Sequence, residues 1–300
     1  MTVVETPPAT PVPEPPKAPG TPRRRRVLRR ITRSPLALGG LIVLLVAILL
    51  ALLAPMIAPY SASDVHFDDA FTPPGGSQFL LGTDDLGRDL ASRIMYGLQA
   101  SLLVGVLSVL IALVVGVPLG LVAGYYSLLD GVVSRVTDLV LAFPFLVLAV
   151  GLAAIRGASL SNAAIAIGIA QLPAMIRVAR SETLRIKALD YVSASIAAGA
   201  TDVWVLVRHV FPGALSAIIV QATVAIPIAI IGESVLSFLG LGIQPPTPSL
   251  GVMLSEAQGY ATRAPWAAVI PGVAIMLVAL AFNLFGDGLR DALDPRSRRR

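Results

Sequence analysis

Residues 36–58 form a run of 23 residues without a single charged side chain. Coiled as a helix, such a run rises about 34 Å, enough to cross a hydrocarbon layer of about 30 Å. A cleaved leader has an apolar core of only about 7–15 residues, so the run is read as an uncleaved first membrane span. Five comparable runs follow, at 98–124, 136–155, 160–179, 214–236 and 266–286. Hydrocarbon offers no partner to backbone N–H and C=O groups, which restricts spanning structures to helices and closed barrels. Continuous apolar runs, rather than short alternating ones, select helices. The expected fold is therefore all-α, a polytopic membrane protein with about six transmembrane helices. Composition agrees: 14% of the residues are charged, against about 25% in a soluble chain. Pro144, Pro173 and Pro227 fall inside spans three, four and five, where freed carbonyls need a neighbouring helix or water.

Orientation follows from the basic residues. With the N-terminus in the cytoplasm, the inner side receives Lys17, Arg23, Arg24, Arg25, Arg26, Arg29, Arg30 and Arg33. It also receives Arg135, then Arg177, Arg180, Arg185, Lys187 and Arg208, and finally Arg290, Arg296, Arg298, Arg299 and Arg300. The outer side receives only Arg88, Arg93, Arg156 and Arg263. This asymmetry selects six spans with both ends inside. The first 22 residues hold eight prolines and are expected to be disordered or polyproline-like. The arginine cluster after them is read as topogenic, with an anionic lipid surface as its contact. The positive charge is divided between the chain ends and one central segment, so no nucleic-acid partner is expected.

Several chemistries are excluded. The chain has no Cys and only His66 and His209, so no metal site is expected. No catalytic residues are assigned. The only lysines are Lys17 and Lys187, and neither follows a Gly. The phosphate-cradling pattern G-x-x-x-x-G-K-[ST] is thus absent, and any ATP that drives this chain is hydrolysed on another. The alternative drive, an ion gradient, usually leaves acids deep in the membrane. The candidates are Asp138 near the start of span three and Glu233 near the far end of span five, both expected close to an interface.

The most informative polar segment is 180–212. Leu184, Ala188, Val192, Ser195 and Gly199 recur at spacings of three or four, as along one helical face. Gly199 is suited to end a helix in a left-handed conformation, and Thr201 or Asp202 to cap the next. Pro212 is expected to break the pattern before span five. The segment reads either as a surface connector or as a docking helix whose small residues fit a partner's groove.

The stretch Tyr191-Val-Ser-Ala-Ser-Ile-Ala-Ala-Gly199, with Pro212 thirteen residues on, resembles the EAA loop of bacterial ABC importer permeases. Ser193 stands where that motif has Glu, and Ser195 where it has a second Ala. Leu81-Gly-Thr-Asp-Asp-Leu-Gly-Arg-Asp89 is similar to the C-type permeases of dipeptide and oligopeptide importers. So are Ser237-Phe-Leu-Gly-Leu-Gly-Ile-Gln-Pro-Pro-Thr-Pro-Ser249 and Gly286-Asp-Gly-Leu-Arg-Asp-Ala-Leu-Asp-Pro-Arg296. The resemblance implies the type I importer permease fold in a bacterial plasma membrane. It implies a B-type permease partner, two ATPase subunits that carry ATP and Mg, and an extracytoplasmic peptide-binding protein. Peptide would be the cargo, with nickel complexes and glutathione carried by relatives. It assigns ATPase docking to Asp190, Tyr191, Ser193, Ala194, Ser195, Gly199, Ala200 and Asp202. The chain then divides into a cytoplasmic tail (1–34), a first span with its outer segment (35–97), a permease core (98–288) and a basic C-terminal tail (289–300).

The outer loops supply further candidates. Asp84, Asp85 and Asp89 are read first as caps for a segment starting near Leu86, with Arg88 paired locally. The other reading is a site for a cation or a peptide's amino end. These four residues and Gln244, in the Gly- and Pro-rich second outer loop, are candidates for docking a binding protein. Glu233 is read as paired with Arg88, Arg93 or Arg263, or else as meeting a peptide's ammonium group. Gln171, Gln221 and Thr223 are polar within spans and would line the pathway or bond between helices.

Overall fold

A computed structural model describes residues 34–293. The proline-rich stretch and arginine cluster of 1–33, and the basic residues after Leu293, lie outside the described residues. Helix α1 (Pro35–Ile57) starts on the side chain of Ser34, which accepts from the Ala37 N–H. Pro35 occupies the first turn, where its missing N–H costs nothing. Ala37, Gly40, Leu44, Ala47, Ala51 and Ala54 recur every three or four residues and are buried. The opposite face exposes Leu45, Leu49, Leu52 and Met56, as a lipid-facing surface should.

The remaining helices are α2 (Leu90–Tyr125), α3 (Ser127–Ala142), α4 (Phe145–Arg156) and α5 (Leu160–Lys187). They are followed by α6 (Asp190–Ala197), α7 (Asp202–Phe238), α8 (Leu250–Ala257) and α9 (Trp266–Leu293). At 36 and 37 residues, α2 and α7 are each roughly 55 Å long and must project beyond the hydrocarbon.

Close approach of small residues fixes how the helices run. Gly116, Gly120 and Gly124 of α2 lie against Met175, Ile176 with Ala179, and Thr183 of α5. A Cβ on Gly120 would come within 2.5 Å of the Ile176 carbonyl oxygen, so only Gly permits this seam. Further along, Gly168 of α5 meets Ile111. Residue numbers rise together on both helices, so α2 and α5 are parallel. Two parallel neighbours in a membrane require the chain between them to return across it. That return is α3 with α4, and the pair counts as a sixth crossing.

The third span is therefore not the single helix expected at 136–155. It is two helices bent by 85° at a break. Pro144 has no N–H to give the Val140 carbonyl and excludes α geometry at Phe143, which is extended (φ −95°, ψ 126°). Pro173 and Pro227 lie inside unbroken helices. Pro212, expected to end a helix, does not do so. A π turn at Leu206–Val210 precedes it, and the Phe211 N–H reaches back to the Leu206 carbonyl, carrying α7 onward.

The other helices alternate. Gly105 of α2 meets Ile230 of α7, and Ser101 meets Glu233, so these two are antiparallel. Gly40 of α1 packs on Ala281 and Leu284 of α9, while Gly288 packs on Ala37, which places the two ends of the described chain together. The outer side holds the segments 58–89 and 239–265. Tyr60 N–H donates to Ser92 Oγ there (3.1 Å), and the Trp266 indole donates to the Thr83 carbonyl (3.2 Å). The inner side holds Ser34, Tyr125, the segment 188–201 and Leu293.

Candidate functional site

On the inner side α5 runs eight residues beyond the apolar run's end at 179, to Lys187. The chain turns at Ala188 and Leu189, and α6 begins at Asp190. Leu184, Ala188, Val192, Ser195 and Gly199 thus do not share one helical face, as their spacing suggested. Val192 anchors α6: it is wholly buried with Ile186, Val205 and Val210. The helix ends in a Schellman motif. The Gly199 N–H donates to the Ile196 carbonyl (2.9 Å) and the Ala200 N–H to that of Ser195 (3.2 Å). Gly199 sits at φ +88°, the left-handed region expected of it. Thr201 occupies the N-cap position of α7 without a side-chain cap bond. The Asp202 carboxylate serves instead as acceptor for the Tyr125 hydroxyl (2.9 Å). Lys187 completes this junction: its Nζ donates to the Tyr125 carbonyl (2.8 Å) and lies 4.6 Å from the Tyr125 ring centroid. The ends of α2 and α5 and the start of α7 are thereby tied in one place.

What this junction presents outward is a short rigid helix and a turn. Asp190, Tyr191, Ser193, Ala194 and Gly199 are exposed, and Ser195 and Ala200 are half-buried. Val203, 68% exposed, and Trp204 extend the surface. His209 packs edge-on to both Tyr191 (5.5 Å) and Trp204 (4.8 Å). The combination of small residues at the helix and apolar ones beside it suits a groove on another protein rather than a reaction.

The outer side is built differently. Asp84 accepts from Arg88 Nε (2.6 Å) and Arg93 Nη1 (2.7 Å), and from the backbone N–H of Leu86 and Arg88. Glu256 of α8 accepts from Arg93 Nη2 (2.6 Å) and Arg88 Nη2 (3.0 Å). Burial alone would weaken the Arg88 charge, but Asp84, Glu256 and Asp85 outweigh it and hold the guanidinium above its ordinary range. Burial, with the carboxylates of Asp85, Asp84 and Glu256, also raises Tyr260. Asp89 is the N-cap of α2, accepting from Ser92 N–H (2.8 Å) and Oγ (2.7 Å). The capped helix starts at Leu90, not near Leu86. Asp84, Arg88 and Asp89 are buried: Asp84 and Arg88 join the loop to α8 through the arginine–Glu256 contacts, and Asp89 caps α2. Asp85 is partly exposed. Gln244 is exposed, with its amide turned back onto the Gly240 carbonyl (2.9 Å).

Glu233 departs most from expectation. It is completely buried and has no arginine partner among the described residues. Its carboxyl accepts from Ser101 of α2 (2.6 Å) and Ser237 of α7 (2.7 Å). Ser237 in turn accepts the Ile243 N–H (3.0 Å), so the acid knots α2, α7 and the turn after α7. Thr223 donates to its own helix at Val220 and packs on Gly286 of α9. Gln171 and Gln221 are half-buried, and Gln171 Nε2 has no acceptor among the described residues.

Residues 116–299 match the family model of the binding-protein-dependent transport system inner membrane component. The chain belongs to this family. Residues 23–74 match the N-terminal transmembrane domain of oligopeptide transport permease C. The chain is 47% identical over 266 residues to a di/tripeptide transport system permease protein of Pseudomonas aeruginosa, covering 87% of this chain and 88% of that one. It is 42% identical to a glutathione transport system permease protein of Pectobacterium atrosepticum, covering 91% of each. In fold it is similar to an inward-facing MetNI methionine ABC transporter structure, with TM-score 0.58 and 19% identity over 67% of this chain and 96% of that one.

The residues that fix the inner segment 188–201 are far apart in the sequence. Tyr125 stands 77 positions from Asp202 and 62 from Lys187. One signal was present: Lys187 is one of only two lysines, set where an apolar helix leaves the membrane. Val192, inside the Tyr191–Gly199 stretch, is its anchor in the core.

Proposed function

We propose that this permease is one of two through which an ABC importer passes peptides inward, driven by ATP hydrolysed on partner subunits. The observation that carries the reading is the α6–Gly199–α7 corner. It is small-sided and apolar, mounted on Val192 and the Lys187–Tyr125–Asp202 junction, and it stands at the inner ends of three long helices. An ATPase seated on Asp190, Tyr191, Ser193, Ala194, Ser195, Gly199, Ala200 and Asp202 pushes on all three at once. The chain lacks a phosphate-binding Lys in any Gly-rich context, so ATP and Mg belong to two such partners. The remaining partners are a B-type permease that completes the pathway and an extracytoplasmic binding protein that delivers cargo. Relatives named for di/tripeptide and glutathione transport support small peptides as the cargo class.

The test is uptake of a labelled dipeptide by the complex reconstituted in proteoliposomes. Uptake should need ATP inside the cytoplasmic compartment and survive ionophores that collapse ion gradients. Ala194→Arg should abolish uptake while the chain still inserts, because Ala194 is exposed. Uptake that persists without ATP and stops with ionophores would overturn the reading.

A further inference from the structure

The break between α3 and α4 falls within the apolar run 136–155, the stretch that makes the third crossing. By its position, α4 starts at Phe145 with no side-chain cap, so the first N–H groups, those of Phe145 and Leu146, have no turn before them. The carbonyls of Leu141 and Ala142 likewise face no following turn. Leu141, Ala142, Phe143 and Pro144 are all exposed. Irregular backbone at membrane depth persists only where it is covered by protein or lines water. A second, independent observation lies on the same helix, before the break. Asp138 of α3 pairs with Arg177 of α5 at 3.4 Å, and their side chains are 72% and 59% exposed. Charged groups within membrane spans face a bundle interior or a water-filled cavity, not lipid. The surface of α1 differs, its exposed residues such as Leu49 and Met56 being uniformly apolar, and so does that of α9 from Val269 to Leu280.

We propose that the α3–α4 break and the Asp138–Arg177 pair form the wall of the water-filled substrate path, where the carbonyls of Leu141 and Ala142 and the N–H groups of Phe145 and Leu146 meet the main chain of a passing peptide. This rests on the transport reading above and assigns the path to a particular face. Main-chain contacts do not depend on the substrate's side chains, which is the chemistry a carrier of varied peptides requires. The break also explains the 85° bend. A straight helix through 136–155 would present only side chains there.

The chain contains no Cys, so each single substitution gives one reactive thiol. Phe143→Cys and Leu141→Cys are compared with Leu49→Cys and Met276→Cys in the full complex in native membranes. The probe is a charged, membrane-impermeant methanethiosulfonate. A thiol in hydrocarbon stays protonated and unreactive, so labelling at 141 and 143 should be at least about tenfold faster than at 49 and 276. A saturating dipeptide with its binding protein and ATP should slow labelling at 143. Equal, slow labelling at all four positions overturns the proposal. Fast labelling at 141 and 143 that no peptide slows leaves a water-lined face but overturns the peptide contact. If a different cargo slows it, the peptide reading of the transporter fails while the path assignment stands. Loss of membrane insertion in either variant is read from its amount in the membrane fraction, and the other variant then decides.

Discussion

Gly199 offers the sharpest test of the docking geometry, because its surroundings separate two causes that usually act together. Its φ is +88°, and a Cβ built on it would meet nothing within 4 Å. Substitution therefore brings no clash inside this chain. The cost is the left-handed backbone alone, about 1–2 kcal/mol for Ala, and more for a β-branched residue. Asn tolerates this conformation better and should cost less. An energy of 1–2 kcal/mol is a factor of about 5–30 in the population of the native turn. Losing the turn releases the Schellman bonds of Gly199 and Ala200 and frees α6 from its fixed angle to α7. The expected order of ATP-driven uptake in proteoliposomes is Gly, then Asn, then Ala, then Val. The amount of inserted chain should be equal throughout, since Val192 and the membrane helices are untouched. Copurification of the ATPase subunits should follow the same order. Normal uptake by Gly199→Val would refute the claim that the turn transmits drive. If Asn is as damaging as Val, side-chain bulk at an interface, not backbone conformation, is the cause.

Three further outcomes follow from buried contacts. Tyr125→Phe removes the hydrogen bond to Asp202, and because Asp202 is exposed its carboxylate regains water; the loss should be only about 0.5–1.5 kcal/mol, read as a reduced ratio of peptide imported to ATP hydrolysed. Arg93→Met leaves Asp84 and Glu256 short of a partner in a site where Arg93 is 1% exposed; the complex should lose about 3–5 kcal/mol, seen as a lower thermal midpoint in detergent and new protease cleavage in the 58–89 segment. Glu233→Leu leaves the Ser101 and Ser237 hydroxyls without their acceptor and should cost about 1–3 kcal/mol for each group left unpaired, whereas Glu233→Gln keeps an acceptor and should retain most of the thermal stability; equal losses for the two would show that the hydroxyls are satisfied elsewhere.

The spans and their sidedness were legible in the sequence because both depend on composition along short windows. Gly199 was legible because a left-handed turn is a local requirement. Pro144 and Pro212 were not, although each is a single residue with a known local effect. Pro212 is absorbed by a π turn, while at Pro144 the chain goes extended and bends. Proline removes one hydrogen bond in either case; what decides the outcome is how neighbouring helices hold the axis. α5, which carries Pro173 unbroken, is the most enclosed span, with 61% of its apolar window buried. The α3–α4 pair, which buries only Thr137 and Ala149, is held less closely. Glu233 was misread for a related reason. Its window places it near a helix end, but the turn at 239–249 folds back over it, and its serine partner on α2 lies 132 residues away.

These two tied places, inner and outer, have a mechanical consequence. α2 and α7 are antiparallel and are cross-linked by side chains at both ends. Tyr125 with Asp202 joins them on the inner side, and Ser101 with Glu233 joins them on the outer side. Between these points Gly105 lets Ile230 approach closely. Two rods fastened at both ends and packed between cannot rotate independently; they move as one body. A displacement applied at α6 and the start of α7 therefore appears at the outer end of the pair. There Ser237 holds the turn into α8, and α8 carries Glu256, the acceptor for Arg88 and Arg93. The outer loop is thus connected to the inner corner through a chain of hydrogen bonds and packed helices. α3 is attached to α5 through the partly exposed Asp130–Arg180 pair and the exposed Asp138–Arg177 pair, while α4 packs on the rigid pair through Phe145 and Ala149, beside Val104, Ala229 and Leu236. Motion of the rigid pair against that broken span would change the width of the space beside the break, which is where a path that opens to alternate sides has to change.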